Sequence, residues 1–338
     1  MRRILVTGAG GAASINFTRC LKNKHHLIGV DSNPYKTILA ETKKCYLISD
    51  PDSKSYIDEL NEIIIESKAE FIHAQPYREV FKISKYRKKI KTKTFLPDHE
   101  IVINCTDKYK SYLIWKKAGL TVPETKVLNH RDDIEKAINN WGKCWIRAKE
   151  GAGAKGALFT DNYALASSWV AYHKGWGKYT IGRYLSPRSV TWMALYKDGE
   201  LIVAQSRERL YWEFPSKTLT GITGITGAAK TIKDSIVDKQ ALESVRAIDD
   251  NPNGIYSVDM TYDGEGIPNP TEINIGKFFT THYFFTKAGL NFPEIYLKLA
   301  FDERVDKLGL NPLEPGLVWI RGVDSEPVLT TVKKVGLD

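Results

Sequence analysis

The run Ile4-Leu5-Val6 is continuously apolar, and a glycine turn, GAGGAAS at 8–14, follows it. An apolar run of this length bounded by glycines predicts a strand buried on both faces. From Ser14 to Leu21 the apolar positions Ile15, Cys20 and Leu21 take up helical spacing. HHLIGVD predicts a second strand, ending at Asp31 and stopped by Pro34. CYLISD and AEFIHAQP continue the strand pattern, and YIDELNEIIIESK between them reads as an amphipathic helix. Strand and helix therefore alternate over about the first hundred residues. That alternation predicts a parallel sheet with helices on both faces.

The pattern changes after the helix predicted over 107–124, which Gly119 closes with Pro123 just beyond. KCWIRAK, KYTIGRYL, SVTWMALYKDGELIVAQSRERL and GIYSVDMTYDGEGIPNPTEIN read as strands. Lys197-Asp198-Gly199 and Asp263-Gly264 are turn signals of the hairpin kind. The second part is thus expected to be mostly antiparallel, with helices at NYALASSWVAYH, DKQALESVRAI and PEIYLKLA. The fold class expected is α/β followed by α+β, with the first unit at 1–105, the second at 106–320 and a loose tail at 321–338. No internal repeat or low-complexity segment interrupts this order.

Composition narrows the chemistry. The 338 residues carry 42% hydrophobic and 26% charged side chains, an ordinary globular balance. Lys plus Arg outnumber Asp plus Glu by 49 to 40, a net charge of +9 that suits an anionic partner. Cys20, Cys45, Cys105 and Cys144 form no CxxC pair and read as buried reduced thiols, which points to a cytoplasmic protein. The apolar run after Arg2-Arg3 is too short for a signal peptide. No stretch approaches the roughly 18 apolar residues of a membrane span. The basic run KYRKKIKTKTFLP at 85–97 lacks interleaved aromatic residues apart from Tyr86, so it reads as a solvated helix face and loop rather than a nucleic-acid surface.

Two glycine loops invite different functions. In the first, Gly8 and Gly10 follow a strand, precede a helix and are joined about twenty residues later by Asp31. That context is the one a dinucleotide site uses, and Tyr112 and Lys116 add the Tyr-xxx-Lys spacing of short-chain reductases. An NAD(P)-dependent reductase or epimerase is therefore one reading. A non-catalytic module binding anions or nucleic acid is another. The second loop, RAKEGAGAKG at 147–156, joins two strand-like runs and has no GxxxxGK[ST] pattern. Arg147, Lys149 and Lys155 can face phosphates there while Gly151, Gly153 and Gly156 let backbone N–H groups approach.

On the order of TDK, GLTVPE, WIRAKEGAGAKG, GRYL and VDM…TEIN, from Arg3 to about Ala300, the chain resembles the ATP-grasp superfamily. Within it the chain looks most like the synthetase halves of carbamoyl-phosphate-synthase-like carboxylate–amine ligases. The resemblance implies a Rossmann-like N-terminal domain, then an ATP-grasp fold with a small antiparallel lid at about 125–185. Lys108 and Arg147 would reach ATP phosphates, and residues 149–156, with Lys149, Gly151, Gly153 and Lys155, would cover the triphosphate. The backbone of Arg183, Tyr184 and Leu185 would meet adenine. Asp259, Glu272 and Asn274 would hold Mg2+ or Mn2+. The residue pattern agrees for this last set, because Glu272 and Asn274, two apart on one strand, share a face and Asp259 lies on the preceding strand of a hairpin.

Several positions depart from the family pattern. Arg183 stands where a hinge acid is common, Ser189 where a ribose-binding Glu is expected, and Gly276, with Lys277 beside it, where an Arg often follows. The implied reaction is ATP-dependent activation of a carboxylate as an acyl phosphate, then coupling to an amine. Arg147, Lys149, Lys155 and Arg209 are the expected catalytic cations. Arg207 and Arg209 are candidates for a substrate carboxylate or the γ-phosphate. The Gly/Thr-rich segment 218–230 reads as a loop near the acceptor or a linker, His282 as structural, and Trp192, Trp212 and Tyr211 as packing residues. Small-molecule carboxylate and amine substrates and a homodimer are the partners expected from the resemblance.

Overall fold

The computed structural model describes residues 1–151, 153–322 and 328–336. The expected alternation at the start of the chain appears as four parallel strands in the order β3-β2-β1-β4. They are β1 (Arg3–Thr7), β2 (His26–Asp31), β3 (Lys44–Leu47) and β4 (Phe71–His73). Ile4, Leu5 and Val6 are fully buried, as a strand with helices on both faces requires.

The first glycine turn is filled by the protein itself. The Asp31 carboxylate accepts the Gly10 amide at 3.1 Å and the Asn33 amide at 3.0 Å. A Cβ at Gly10 would lie 2.0 Å from the Lys36 carbonyl oxygen, so this glycine serves close packing of the chain on itself. Glycine and acid, the two features that suggested a dinucleotide, are satisfied by backbone.

A second sheet, in the order β5-β8-β6-β7, is small and antiparallel. It comprises β5 (Thr125–Val127), β6 (Cys144–Ala148), β7 (Leu158–Thr160) and β8 (Tyr179–Arg183). Helices Arg131–Trp141 and Tyr163–Tyr172 cover it. Its core is its own, built from Leu128, Ile134, Ile146, Leu158, Val170 and Ile181. A unit with a separate core can swing as a body without opening the rest of the molecule.

The third sheet carries β9 (Ser189–Lys197), β10 (Glu200–Trp212), β11 (Thr226–Ile232), β12 (Gly254–Tyr262), β13 (Pro268–Ile275), β14 (Gly309–Leu310), β15 (Leu317–Ile320) and β16 (Val328–Thr331). Their order is β13-β12-β9-β10-β11-β15-β16, with β14 alongside β10. The segment expected as a loose tail from 321 thus supplies β16, which pairs with β15. The Gly/Thr-rich segment likewise ends in a strand, β11. One core runs from the first sheet into this one, joining Leu5, Val30, Trp115, Trp192 and Tyr256. Buried indoles find partners: Trp115 donates to the Ser244 carbonyl and Trp192 to Asp238, both at 3.0 Å.

The basic run at 85–97 is occupied locally. Lys82, Lys85 and Lys89 surround the Tyr86 ring, Arg87 donates to the Leu96 and Pro97 carbonyls, and Lys93 pairs with Asp302. Cys20, Cys105 and Cys144 are buried free thiols, and Cys45 is half-buried. Among the described residues no helix is long and apolar enough to cross a membrane.

Glu79, on the helix Tyr77–Lys85, is buried beneath the first sheet and its Oε2 has no hydrogen-bond partner. Burial pushes its carboxyl up to about 7, and Asp31 adds to the rise, against the pull of Thr7, Tyr56 and Arg78. An acid whose folded value is raised binds a proton on folding between its unfolded value of 4.5 and about 7. Stability therefore falls as pH rises through that window and levels off above it. Glu79→Gln is expected to gain on the order of 1–3 kcal/mol over the unaltered protein at pH 8 and little at pH 4. Urea unfolding at the two pH values checks this; an equal effect at both would show that Glu79 does not titrate there.

Candidate active site

The strand register places charges in one transverse row. Glu272 on β13 lies opposite Asp259 on β12, Asp259 opposite Thr191 on β9, and Thr191 opposite Arg207 on β10. Residues directly opposite share a face. Asn274, two residues beyond Glu272, is on that same face. It donates through Nδ2 to Asp259 Oδ2 at 2.9 Å and to Glu272 Oε1 at 3.4 Å. The Thr191 hydroxyl donates to Asp259 Oδ1.

Cations from four elements converge on the two acids. Asp107 caps the helix Lys108–Lys117, accepting the Tyr109 and Lys110 amides, and so sets Lys108 as its first residue. The Lys108 amide donates to the Lys149 carbonyl at 2.9 Å, its Nζ donates to the Gly151 carbonyl at 2.7 Å, and the same Nζ lies 3.6 Å from Glu272. Arg147 reaches from β6 to the Thr271 carbonyl at 2.8 Å. Arg209 on β10 donates to Ser189 Oγ at 2.6 Å and Thr226 Oγ1 at 3.1 Å, lies over the Trp212 ring, and stands 3.9 Å from Asp259.

Lys277 is the fourth cation. Gly276 has φ +67°, and a Cβ there would meet Val80 at 2.9 Å and Leu96 at 3.0 Å, so an arginine at that position would be strained. The next residue supplies the charge instead. Burial lowers the Lys277 ammonium, while Glu272 and Asp259 draw it back up.

The two acids differ in protonation tendency. Burial pushes Asp259 up, with Glu272 adding to the rise and Arg209 opposing it, and the net direction is upward. Burial also acts on Glu272, but Lys108, Arg147 and Lys277 outweigh it and hold it below the ordinary carboxylate range. Burial lowers Lys108, Arg147 and Arg209, each partly restored by the acids. Tyr77, Thr106, Lys108, Gly151, Glu272 and Lys277 line a cleft here.

Lys149 and Lys155 are placed differently. Lys149 is half-buried and Lys155 exposed, and neither side chain makes an ion pair among the described residues. In the loop joining β6 to β7, Gly151 lines the cleft, and a Cβ at Gly224 would lie 2.8 Å from the Gly153 Cα. The Gly/Thr segment therefore meets the basic glycine loop, a contact between two glycines that no side-chain pattern announces. Ala152 lies outside the described residues.

At the hinge after β8, the Arg183 amide donates to the Glu124 carbonyl and the Tyr184 amide to the Lys143 carbonyl. Arg183 is exposed, and the Tyr184 ring lies 5.4 Å from that of Phe159. His282 is buried with Nδ1 on the Phe279 carbonyl at 2.8 Å and its ring stacked on Phe278, a structural placement. Trp192 is buried, and Tyr211, 46% exposed, lays its ring against Gly227, where a Cβ would come within 2.1 Å of it.

The donor set of Asp259, Glu272 and Asn274 is all oxygen and amide, which suits a hard divalent cation such as Mg2+ or Mn2+. Among the described residues no three His, Cys, Asp or Glu side chains gather as a metal set, so Asn274 is needed as third protein donor. Sequence reasoning missed Thr191, which orients Asp259, and Arg321, which lies just beyond β15.

No family model matches the chain, and no curated protein matches it in sequence. Solved structures do match in fold. The biotin carboxylase domain dimer of Hydrogenobacter thermophilus 2-oxoglutarate carboxylase, in complex with MgADP, ADP and bicarbonate, has a TM-score of 0.73 at 13% identity. That match covers 95% of this chain and 74% of the other. Staphylococcus aureus N5-carboxyaminoimidazole synthetase complexed with ADP gives 0.74 at 13%, covering 95% and 82%. The L-amino acid ligase of Bacillus licheniformis gives 0.71 at 13%, covering 94% and 79%. The chain has the fold of these enzymes, the ATP-grasp fold that the order of its motifs implied.

Proposed function

We infer that this protein is an ATP-dependent ligase that activates a carboxylate as an acyl phosphate and couples it to an amine or a related nucleophile. ADP and phosphate would be released. The observation that carries this reading is the cleft lined by Lys108, Gly151, Glu272, Asn274 and Lys277, with Asp259 bonded to Asn274 and Arg147 on the Thr271 carbonyl beside Glu272. ADP or MgADP in similarly folded structures supports ATP and Mg2+ as the reagents.

Lys108, Arg147, Lys149 and Lys155 would hold the phosphates, with the backbone at Gly151 and Gly153 close to them. The Arg183 and Tyr184 amides are engaged with the Glu124 and Lys143 carbonyls, so their carbonyls and the Leu185 backbone would meet adenine. Asp259, Glu272 and Asn274 would hold Mg2+, which screens phosphate charge when bound. Arg209, braced by Ser189, Thr226 and Trp212, is aimed where charge develops on the transferred group. Closure of the lid keeps water from the acyl phosphate. Protein work here is placement and charge compensation rather than covalent catalysis.

The ligase reading is favoured over the reductase reading because Asp31 and Gly10 are engaged with each other and with the 33–36 segment. The soluble small-molecule reading is also favoured over a nucleic-acid module by the local pairing of the 85–97 cations.

ADP release with pooled carboxylates and amines tests the activity. Glu272→Ala is expected to lower turnover by at least ~100-fold; unchanged turnover would remove the metal assignment. Arg147→Ala is expected to weaken Mg-ATP binding about tenfold by calorimetry. An unaltered affinity in that variant would count against the phosphate role.

A further inference from the structure

Three arginines gather at β10, and two of them, Arg207 and Arg321, have no role in the nucleotide half. Arg207 is 2% exposed, and its Nε and Nη1 have no hydrogen-bond partner. Its guanidinium lies over the Phe279 ring at 4.4 Å. Arg209 is its neighbour on the same face of β10. Arg321 follows β15, where its amide bonds the Gly227 carbonyl and its Nη1 reaches the Thr280 carbonyl at 3.4 Å. Among the described residues no carboxylate pairs with Arg207 or Arg321 within 4.0 Å.

A buried guanidinium with open N–H groups and like charges beside it is costly unless an anion fills the place. Burial, with Arg209 and Arg321 adding their charge, holds Arg207 down at about 9 against the pull of Asp259. Of the two neighbours on β10, Arg209 is the one that stands 3.9 Å from Asp259, whereas Arg207 makes no ion pair with it and lies over the Phe279 ring. An anion filling the open place at Arg207 would therefore be a different group from the one reacting beside Asp259 and Glu272. Guanidinium forks suit a carboxylate or a phosphate oxygen pair.

We propose that Arg207, backed by Phe279 and flanked by Arg209 and Arg321, receives a second anionic group of the substrate, a carboxylate or phosphate remote from the carboxylate that reacts. The substrate is then at least a dianion, and its far end lies against β10. This rests on the ligase reading of the cleft.

The test uses the full chain and calorimetry with glutarate, 4-phosphonobutyrate and butyrate, with and without Mg-AMPPNP. One of the two dianions is expected to bind at least about tenfold more tightly than butyrate. Which dianion wins separates the carboxylate from the phosphate form. Arg207→Met should abolish that preference, leave Mg-AMPPNP affinity within about twofold, and leave the melting temperature unchanged or higher. Arg321→Gln should reduce the preference several-fold. Equal binding of all three probes overturns the proposal, and so does a dianion preference that survives Arg207→Met. A lower melting temperature in Arg207→Met also overturns it, since the arginine would then be structural. If Mg-AMPPNP fails to bind the unaltered protein, the ligase reading falls, while the probe comparison without nucleotide still judges Arg207.

Discussion

Two carboxylates, Asp259 and Glu272, face each other on adjacent strands, and the arrangement around the cleft follows from having to tolerate them there. Cross-strand neighbours lie about 5 Å apart, so two ionised acids at an effective dielectric of 20 repel by roughly 3 kcal/mol. The fold answers with cations from separate elements: a helix start, a strand of the small sheet, the turn after β13, and β10. Asn274 places its amide hydrogens between the acids. Such a set is stable as a whole and poor in any part, because removing one member leaves buried charge uncompensated. On the proposed reading a divalent cation would take over that compensation and free Lys108 and Arg147 for phosphate.

The same polar groups join the small sheet to the rest of the chain. The small sheet has its own core, so what ties it to the body near the cleft is polar: Arg147 on the Thr271 carbonyl and the bonds of Lys108 to the Lys149 and Gly151 carbonyls. Polar ties of this kind rearrange at far lower cost than a shared apolar core. The contact of Gly153 with Gly224 adds a second loop to the closure. Both tips are glycine, so backbones approach closely there and a side chain at either point would hold them apart.

How much of this was legible in the sequence follows from the range of the interactions. Glu272 and Asn274 were readable because a strand's period is local, and Asp259 because a hairpin returns close in sequence. The first glycine turn misled for the opposite reason. Its context fits a dinucleotide, yet the Lys36 carbonyl that occupies the space is placed by tertiary packing. Arg207 was readable as an anion candidate and pairs with Thr191 across a local hairpin, but the alignment of both with Asp259 depends on β12, about fifty residues later. Arg321 and β16 were read as tail because β15 pairs with β11, about ninety residues earlier, and no local pattern predicts that pairing.

Gly276 and Arg207 are best understood together. Gly276 has a positive φ, and a Cβ there would press on Val80 and Leu96, so a side chain at the end of β13 would be strained. Lys277 supplies a point charge near Glu272 but not a planar fork. Arg147 brings a fork from β6, and Arg209 brings one from β10 to 3.9 Å from Asp259. Arg207, on the same strand as Arg209, makes no such pair and lies over Phe279. On the proposed reading β10 divides its two guanidinium groups, one beside the acids and one for the substrate's far anion, and the spacing between them sets the length of substrate the cleft accepts.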